Sequence, residues 1–216
     1  MPGYRAVIFD FGGVITTSPT LVMRSFCEQH SLPWAEVSPL LAAREGAWSR
    51  FETSALSRDE FVRAFELECG TLGHSIDGAA FLSHFFGGMT LREDMVAVVR
   101  DLRRRLRVGC ITNNVQTGSR QRLIQFEELF DVVVESSIEG VRKPDPAIYL
   151  IACDRLGVKP EEAIFLDDFG VNLKAARALG MATIKVDETQ SAIGELEKLL
   201  GFELPRGGAA SVVAAE

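Results

Sequence analysis

The chain has 216 residues, 47% hydrophobic and 25% charged, a globular balance that excludes disorder for its bulk. By accessible-surface scaling, about 70% of the unfolded surface can be buried, enough for one large domain or one domain carrying an insertion. Lys and Arg number 23 against 30 Asp and Glu, and the net charge of −7 argues against nucleic-acid or anionic-membrane partners.

The first apolar run, Ala6–Asp10, reads as a buried strand and is followed by Phe11-Gly12-Gly13. Helical patterns then cover Thr20–His30, Ala35–Trp48, Arg58–Cys69 and Gly78–Phe86, with Ser57 and Glu60 placed as a capping box. This helix-only stretch of about 75 residues is too short for a usual domain and is expected to cap the strand ends. A helix over Glu93–Leu106 leads to the strand Val108–Thr112, a helix over 118–129 and a short strand Val132–Val134. The helix Pro146–Leu156, the strand Ala163–Asp167, the helix Asn172–Leu179, the strand Thr183–Val186 and the helix Ser191–Leu200 complete the pattern. Near-continuous apolar strands alternating with helices imply an α/β fold: a doubly wound, Rossmann-like parallel sheet with an all-helical cap inserted after the first strand. The expected division is a core at 1–16 and 91–204, a cap at 17–90 and a disordered tail at 205–216.

The four cysteines, Cys27, Cys69, Cys110 and Cys153, form no C-x-x-C pair and read as reduced, buried thiols. Tyr4–Phe9 is too short for a signal peptide, and no apolar stretch reaches membrane-spanning length, so a cytoplasmic protein is expected.

The strand ends carry the chemistry. Asp10 ends the first strand, Thr112-Asn113-Asn114 the second; Arg142-Lys143-Pro144-Asp145-Pro146 follows the third, and Asp167-Asp168 ends the fourth with Asn172 beyond. In a parallel sheet these side chains converge beyond the carboxyl ends. Two carboxylates about 5 Å apart repel by roughly 3 kcal/mol at an effective dielectric of 20, so Asp10, Asp167 and Asp168 together call for a cation. All-oxygen ligands favour Mg²⁺. Lys143 adds a positive charge that can hold Asp10 ionised and neutralise an incoming phosphate. Such a set suits phosphoryl transfer through a covalent aspartyl intermediate.

The segments Asp10–Ile15, Ile111–Asn114, Arg142–Pro146 and Phe165–Asn172 resemble, in order and spacing, the four motifs of the haloacid dehalogenase superfamily. The resemblance covers residues 4–202. It is greatest toward the branch with the N-terminal phosphatase domain of soluble epoxide hydrolase and the similar domain fused to some acyl-CoA dehydrogenases. It implies a Mg²⁺-dependent phosphatase acting on a small phosphorylated metabolite; a monomer or homodimer is expected. Asp10 is implied as nucleophile and metal ligand, Gly12 as a main-chain ligand and phosphate contact, and Asp168 as the second carboxylate ligand. Thr112, Asn113 and Lys143 would hold the phosphoryl group, with Asp167 and Asn172 in support.

One departure stands out. The family's phosphatases usually carry an acid/base aspartate where this chain has Gly12. Positioned acid–base help contributes typically about 10²–10⁴-fold, so slower turnover is expected, and restoring an aspartate at residue 12 is expected to raise it. Thr16, Thr17 or a cap histidine are candidate surrogates. Two other readings are a 2-haloacid dehalogenase and a phosphate-binding or regulatory protein without turnover. In the cap, Trp34, Trp48, Phe51, Phe81, Phe85 and Phe86 read as core, and Glu52 is given no role.

Overall fold

A computed structural model of the chain describes residues 3–115 and 128–206. Most of the helix expected over 118–129, and of the tail expected over 205–216, lies outside the described residues. Five strands, β1 (Ala6–Phe9), β2 (Arg107–Thr112), β3 (Val132–Glu135), β4 (Ala163–Asp167) and β5 (Ala182–Lys185), form one sheet. All neighbours pair in parallel, in the order β3-β2-β1-β4-β5. The described helices are α1 (Pro19–Gln29), α2 (Trp34–Ala42), α3 (Ala47–Glu52), α4 (Arg58–Thr71), α5 (Gly78–Gly87), α6 (Glu93–Leu102), α7 (Ser136–Glu139), α8 (Pro146–Leu156), α9 (Gly170–Ala178) and α10 (Thr189–Leu200).

The strands read as continuous apolar runs because both faces of the sheet are covered. Val7 and Phe9 of β1 join a core with Met95, Val98, Val99 and Leu102 of α6 and with Ile193 and Leu196 of α10. Ala6 and Ile8, one residue out of phase, belong to the opposite core with Ile148, Tyr149 and Ala152 of α8 and Leu173 and Ala176 of α9. This alternation is the period of a strand, with each set buried against its own helices.

Helices α1–α5 build a core of their own around Phe26, Trp48, Phe51, Phe61, Phe65 and Phe81. The segments entering and leaving this insert run side by side. Thr16 and Leu91 form an antiparallel bridge, Thr17 N–H donates to Thr90 O at 2.8 Å, and Arg92 N–H donates to Ile15 O at 2.8 Å. The capping box starts α4, with Ser57 N–H donating to Glu60 Oε2 at 2.8 Å and Ser57 Oγ accepting from Glu60 N–H at 3.4 Å.

Two helices differ from the sequence expectation. The single helix expected over Ala35–Trp48 is two, α2 and α3. Pro39 lies inside α2 and removes one amide from its ladder, while the Glu68 carboxylate captures Ala47 N–H at 2.8 Å and starts a new helix. The helix expected to reach Leu106 stops at Leu102, where Asp131 receives both Arg103 Nε (3.0 Å) and Val108 N–H (2.9 Å) and turns the chain into β2. Both breaks come from distant partners that local periodicity does not register.

Phe61 is fully buried, stacked on Phe51 (ring centroids 4.7 Å) and Phe65 (5.3 Å). Phe61→Ala is expected to cost about 3–5 kcal/mol in a urea titration. A loss under about 1 kcal/mol would contradict a packed insert core.

Candidate active site

Asp10 follows β1, the strand flanked by β2 on one side and β4 on the other. Strand order reverses here, so the carboxyl ends of three strands open onto one crevice. The Asp10 amide extends the sheet by donating to Leu166 O at 2.8 Å. Its carboxylate Oδ1 accepts Phe11 N–H at 2.6 Å and lies 2.6 Å from Lys143 Nζ.

Lys143 comes from the loop between α7 and α8 and is 1% exposed. Its ammonium also lies 2.8 Å from Asp167 Oδ2. Asn113, just past β2, fixes the lysine main chain: Lys143 N–H donates to Asn113 Oδ1 (2.8 Å), and Asn113 Nδ2 donates to Lys143 O (3.1 Å). Asp167 is fully buried and accepts Phe169 N–H (2.7 Å) and Asn172 Nδ2 (3.0 Å to each oxygen). Tyr149 O–H in turn donates to Asn172 O at 3.0 Å. Every contact around Lys143 therefore has a second contact holding it in place.

Burial alone would discharge Lys143, but Asp10 and Asp167 outweigh it and hold the ammonium above its ordinary range. Burial raises Asp10 well above the usual carboxylate range; Lys143 opposes that shift, and Asp167 and Asp168 add to it. Asp168 is pushed up to about 6, by burial first and by Asp167 second. One ammonium faces three carboxylates.

Asp10, Asp167 and Asp168 each offer an oxygen within 4.8 Å of the others. Asp167 is engaged by Lys143 and Asn172, whereas Asp168 Oδ1 is buried without a hydrogen-bond partner among the described residues. Ser18 Oγ donates to Asp168 Oδ2 at 3.3 Å. Gly13 has φ +82°, and a Cβ there would collide with the Asp168 carboxylate, so only glycine lets the carboxylate approach the first loop. A buried orphan oxygen in an all-oxygen cluster fits a hard divalent cation.

A cavity of about 1290 Å³ lies above this cluster, between the sheet and the insert. Asp10, Gly12, Asn113, Lys143 and Asn172 line it from the core. Thr112 is half-buried at the end of β2 and is not among the lining residues. The insert contributes an apolar wall of Met23, Trp34, Leu41, Trp48 and Phe85.

The insert also contributes Glu52, to which the sequence reading assigned nothing. Glu52 is 6% exposed and lines the cavity; its Oε1 accepts Trp48 Nε1–H at 2.8 Å and its Oε2 lies 2.9 Å from Arg142 Nη2. The four-residue spacing of Trp48 and Glu52 puts them on one helix face, a signal the sequence contained. Arg142 reaches Glu52 only through the fold.

Gly12 sits in a tight contact. A Cβ at this position would lie 2.5 Å from Cγ of Pro19, the first residue of α1. A rigid ring occupies this space, so an aspartate here introduces strain, a cost in stability separate from the expected gain in turnover. Gly12→Asp is expected to destabilise the protein by about 1–3 kcal/mol in denaturant titrations. Adding Pro19→Ala, which removes the clashing ring atoms, is expected to recover most of that loss. A single variant as stable as the parent would refute the clash.

A doubly wound parallel sheet with carboxylates and a buried lysine at its switch point defines a Rossmann-like α/β core with a charged crevice, here carrying a helical insert. The chain belongs to the haloacid dehalogenase-like hydrolase family, whose model matches residues 4–180. It is 36% identical over 211 residues to acyl-CoA dehydrogenase family member 10 of Mus musculus, covering 94% of this chain and 20% of that protein. Bifunctional epoxide hydrolase 2 of Rattus norvegicus is 36% identical over 155 residues, covering 68% of this chain and 28% of that protein. The chain thus spans less than a third of either relative. A sesquiterpene phosphatase of Aspergillus oryzae is 27% identical, with 92% of this chain and 97% of that protein covered. Among solved structures, a haloacid dehalogenase-family enzyme of Bacteroides thetaiotaomicron, in complex with magnesium and inorganic phosphate, shares the fold at TM-score 0.63 and 17% identity, covering 85% of this chain and 94% of that one.

Proposed function

We propose that the protein is a Mg²⁺-dependent phosphatase of a small phosphorylated metabolite, working through an aspartyl-phosphate on Asp10. One observation carries this reading: the Asp10 carboxylate is braced by the Lys143 ammonium beside a second acid, Asp168, whose buried oxygen lacks a partner.

Asp10, Asp168 and the Gly12 carbonyl would hold the cation, with Asp167 behind them. When bound, Mg²⁺ supplies positive charge to the phosphoryl oxygens. Asp10 presents Oδ2 to phosphorus, because Phe11 N–H and Lys143 both engage Oδ1. Lys143 offsets charge on the transferring group, and Asn113 keeps the lysine main chain in register. Thr112 and the second Asn113 amide hydrogen are the remaining donors at the end of β2. Helices α1–α5 act as the cap that excludes bulk water. Their apolar wall suits a substrate whose carbon body is apolar, in keeping with a sesquiterpene phosphatase among the relatives.

We further propose a cytoplasmic monomer or homodimer with no nucleic-acid or membrane partner, a reading supported by the net charge of −7. The four cysteines are free and buried, and no helix among the described residues is long and apolar enough to cross a membrane. The phosphate-binding alternative draws on Pro19 filling the usual acid's place. The dehalogenase alternative leaves the orphan oxygen of Asp168 without a purpose.

Hydrolysis of phosphate monoesters and acyl phosphates, with Mg²⁺ or with a chelator, tests the reading. Asp10→Asn is expected to lower turnover by more than ~10³-fold, and chelation to abolish it. Independently of activity, Mg²⁺ is expected to raise the melting temperature, an effect lost in Asp168→Asn. No turnover on any ester would favour the binding protein, and metal-free halide release from a 2-haloacid would favour the dehalogenase.

A further inference from the structure

With glycine at residue 12 and Pro19 in the adjoining space, the position two residues after Asp10 supplies no acid to protonate a leaving alkoxide. The expected surrogates are elsewhere. Thr16 Oγ1 donates to Thr17 O (3.0 Å) and Thr17 Oγ1 to Gly88 O (3.3 Å), and neither they nor the histidines line the cavity. Among the titratable groups that do line it, Asp10 is the nucleophile and Lys143 is locked between two acids. The arginines keep their protons. Asp145 caps α8 through Ala147 N–H at 2.9 Å, and Glu45 is exposed. Glu52 is what remains.

We propose that Glu52 is the proton donor to the leaving group and the base for the attacking water, an assignment that rests on the phosphatase reading. Glu52 lines the same cavity as Asp10, and its main chain is held beside the carboxyl end of β3 by two ties between insert and core. Ser136 Oγ donates to Glu52 O at 2.6 Å, and Ser54 Oγ donates to Ser137 O at 2.8 Å. Oε2, although 2.9 Å from Arg142 Nη2, receives no well-directed hydrogen bond and is buried. A polar atom left so inside a cavity is placed to meet a ligand. Burial raises this carboxyl above the usual range; Arg142, the Trp48 N–H and Lys143 oppose that shift without cancelling it.

The chemistry balances as follows. An Asp10 oxygen bonds to phosphorus, the ester P–O bond breaks, and the departing oxygen takes the Glu52 proton, leaving an alcohol, an aspartyl-phosphate and the Glu52 carboxylate. Water then attacks phosphorus and gives its proton to Glu52. The Asp10 O–P bond breaks, releasing phosphate and restoring both carboxyl groups.

Leaving-group dependence separates this role from a structural one. Glu52→Gln is expected to lower kcat/KM for an alkyl phosphate by about 10²–10⁴-fold, but for p-nitrophenyl phosphate, whose leaving group needs no proton, by less than about 10-fold. It should also remove the alkaline limb of the alkyl phosphate pH profile, and Glu52→Asp should restore part of the rate. Equal losses on both esters, or none, would overturn the assignment and leave the phosphatase reading standing; a parent inactive on both would remove both. Arg142→Met keeps Glu52 and so serves even if the glutamine variant does not fold. Loss of the guanidinium should move the alkaline limb upward by about a unit, and an unmoved limb would overturn the assignment.

Discussion

The Lys143 ammonium, buried between Asp10 and Asp167, is the interaction on which the rest of the site depends. Taking these charges out of water costs several kcal/mol per ion, and only close geometry with further hydrogen bonds offsets it. The fold supplies both. Nζ lies 2.6 Å from Asp10 and 2.8 Å from Asp167. Asn113 holds the lysine main chain, while Asn172 and the Phe169 amide saturate Asp167. These partners come from the ends of β2 and β4 and the start of α9, so the sheet must be complete before the pair is affordable.

The same pair sets the charge of the crevice. With Asp168 added, three carboxylates surround one ammonium, and burial presses Asp10 and Asp168 toward their neutral forms. A phosphate dianion would find such a crevice repulsive unless a cation entered with it. The unpartnered oxygen of Asp168 and the glycine facing it are where that cation fits. Metal binding and anion binding at this site would therefore be coupled by electrostatics.

The insert meets the core through a few polar points. Its two connecting segments pair at Thr16 and Leu91, Ser18 reaches Asp168, and the end of α3 is tied to α7 through Glu52, Ser54, Ser136 and Ser137. Its own aromatic core packs its five helices into one unit that carries those contacts. Placing Pro19 against Gly12 and Glu52 beside Arg142 follows from how this body is seated, and both features distinguish the site chemically.

The strands, the helical insert and the residues Asp10, Asn113, Lys143, Asp167, Asp168 and Asn172 were legible in the chain itself. Polar residues that interrupt an apolar strand at its end cost too much to be incidental, and a parallel sheet gathers strand ends at one edge. Thr112 was legible by the same rule and is half-buried at the end of β2. The split between α2 and α3 was not legible, because Glu68, more than twenty residues away, starts the second helix. Nor were Glu52 and Pro19, whose importance comes from neighbours distant in sequence, Arg142 and Gly12 respectively. Periodicity and local polarity are properties of adjacent residues, so the sequence by itself determined the elements and the charged strand ends. Which groups share a buried space depends on how those elements pack, and that was decided only in the tertiary structure.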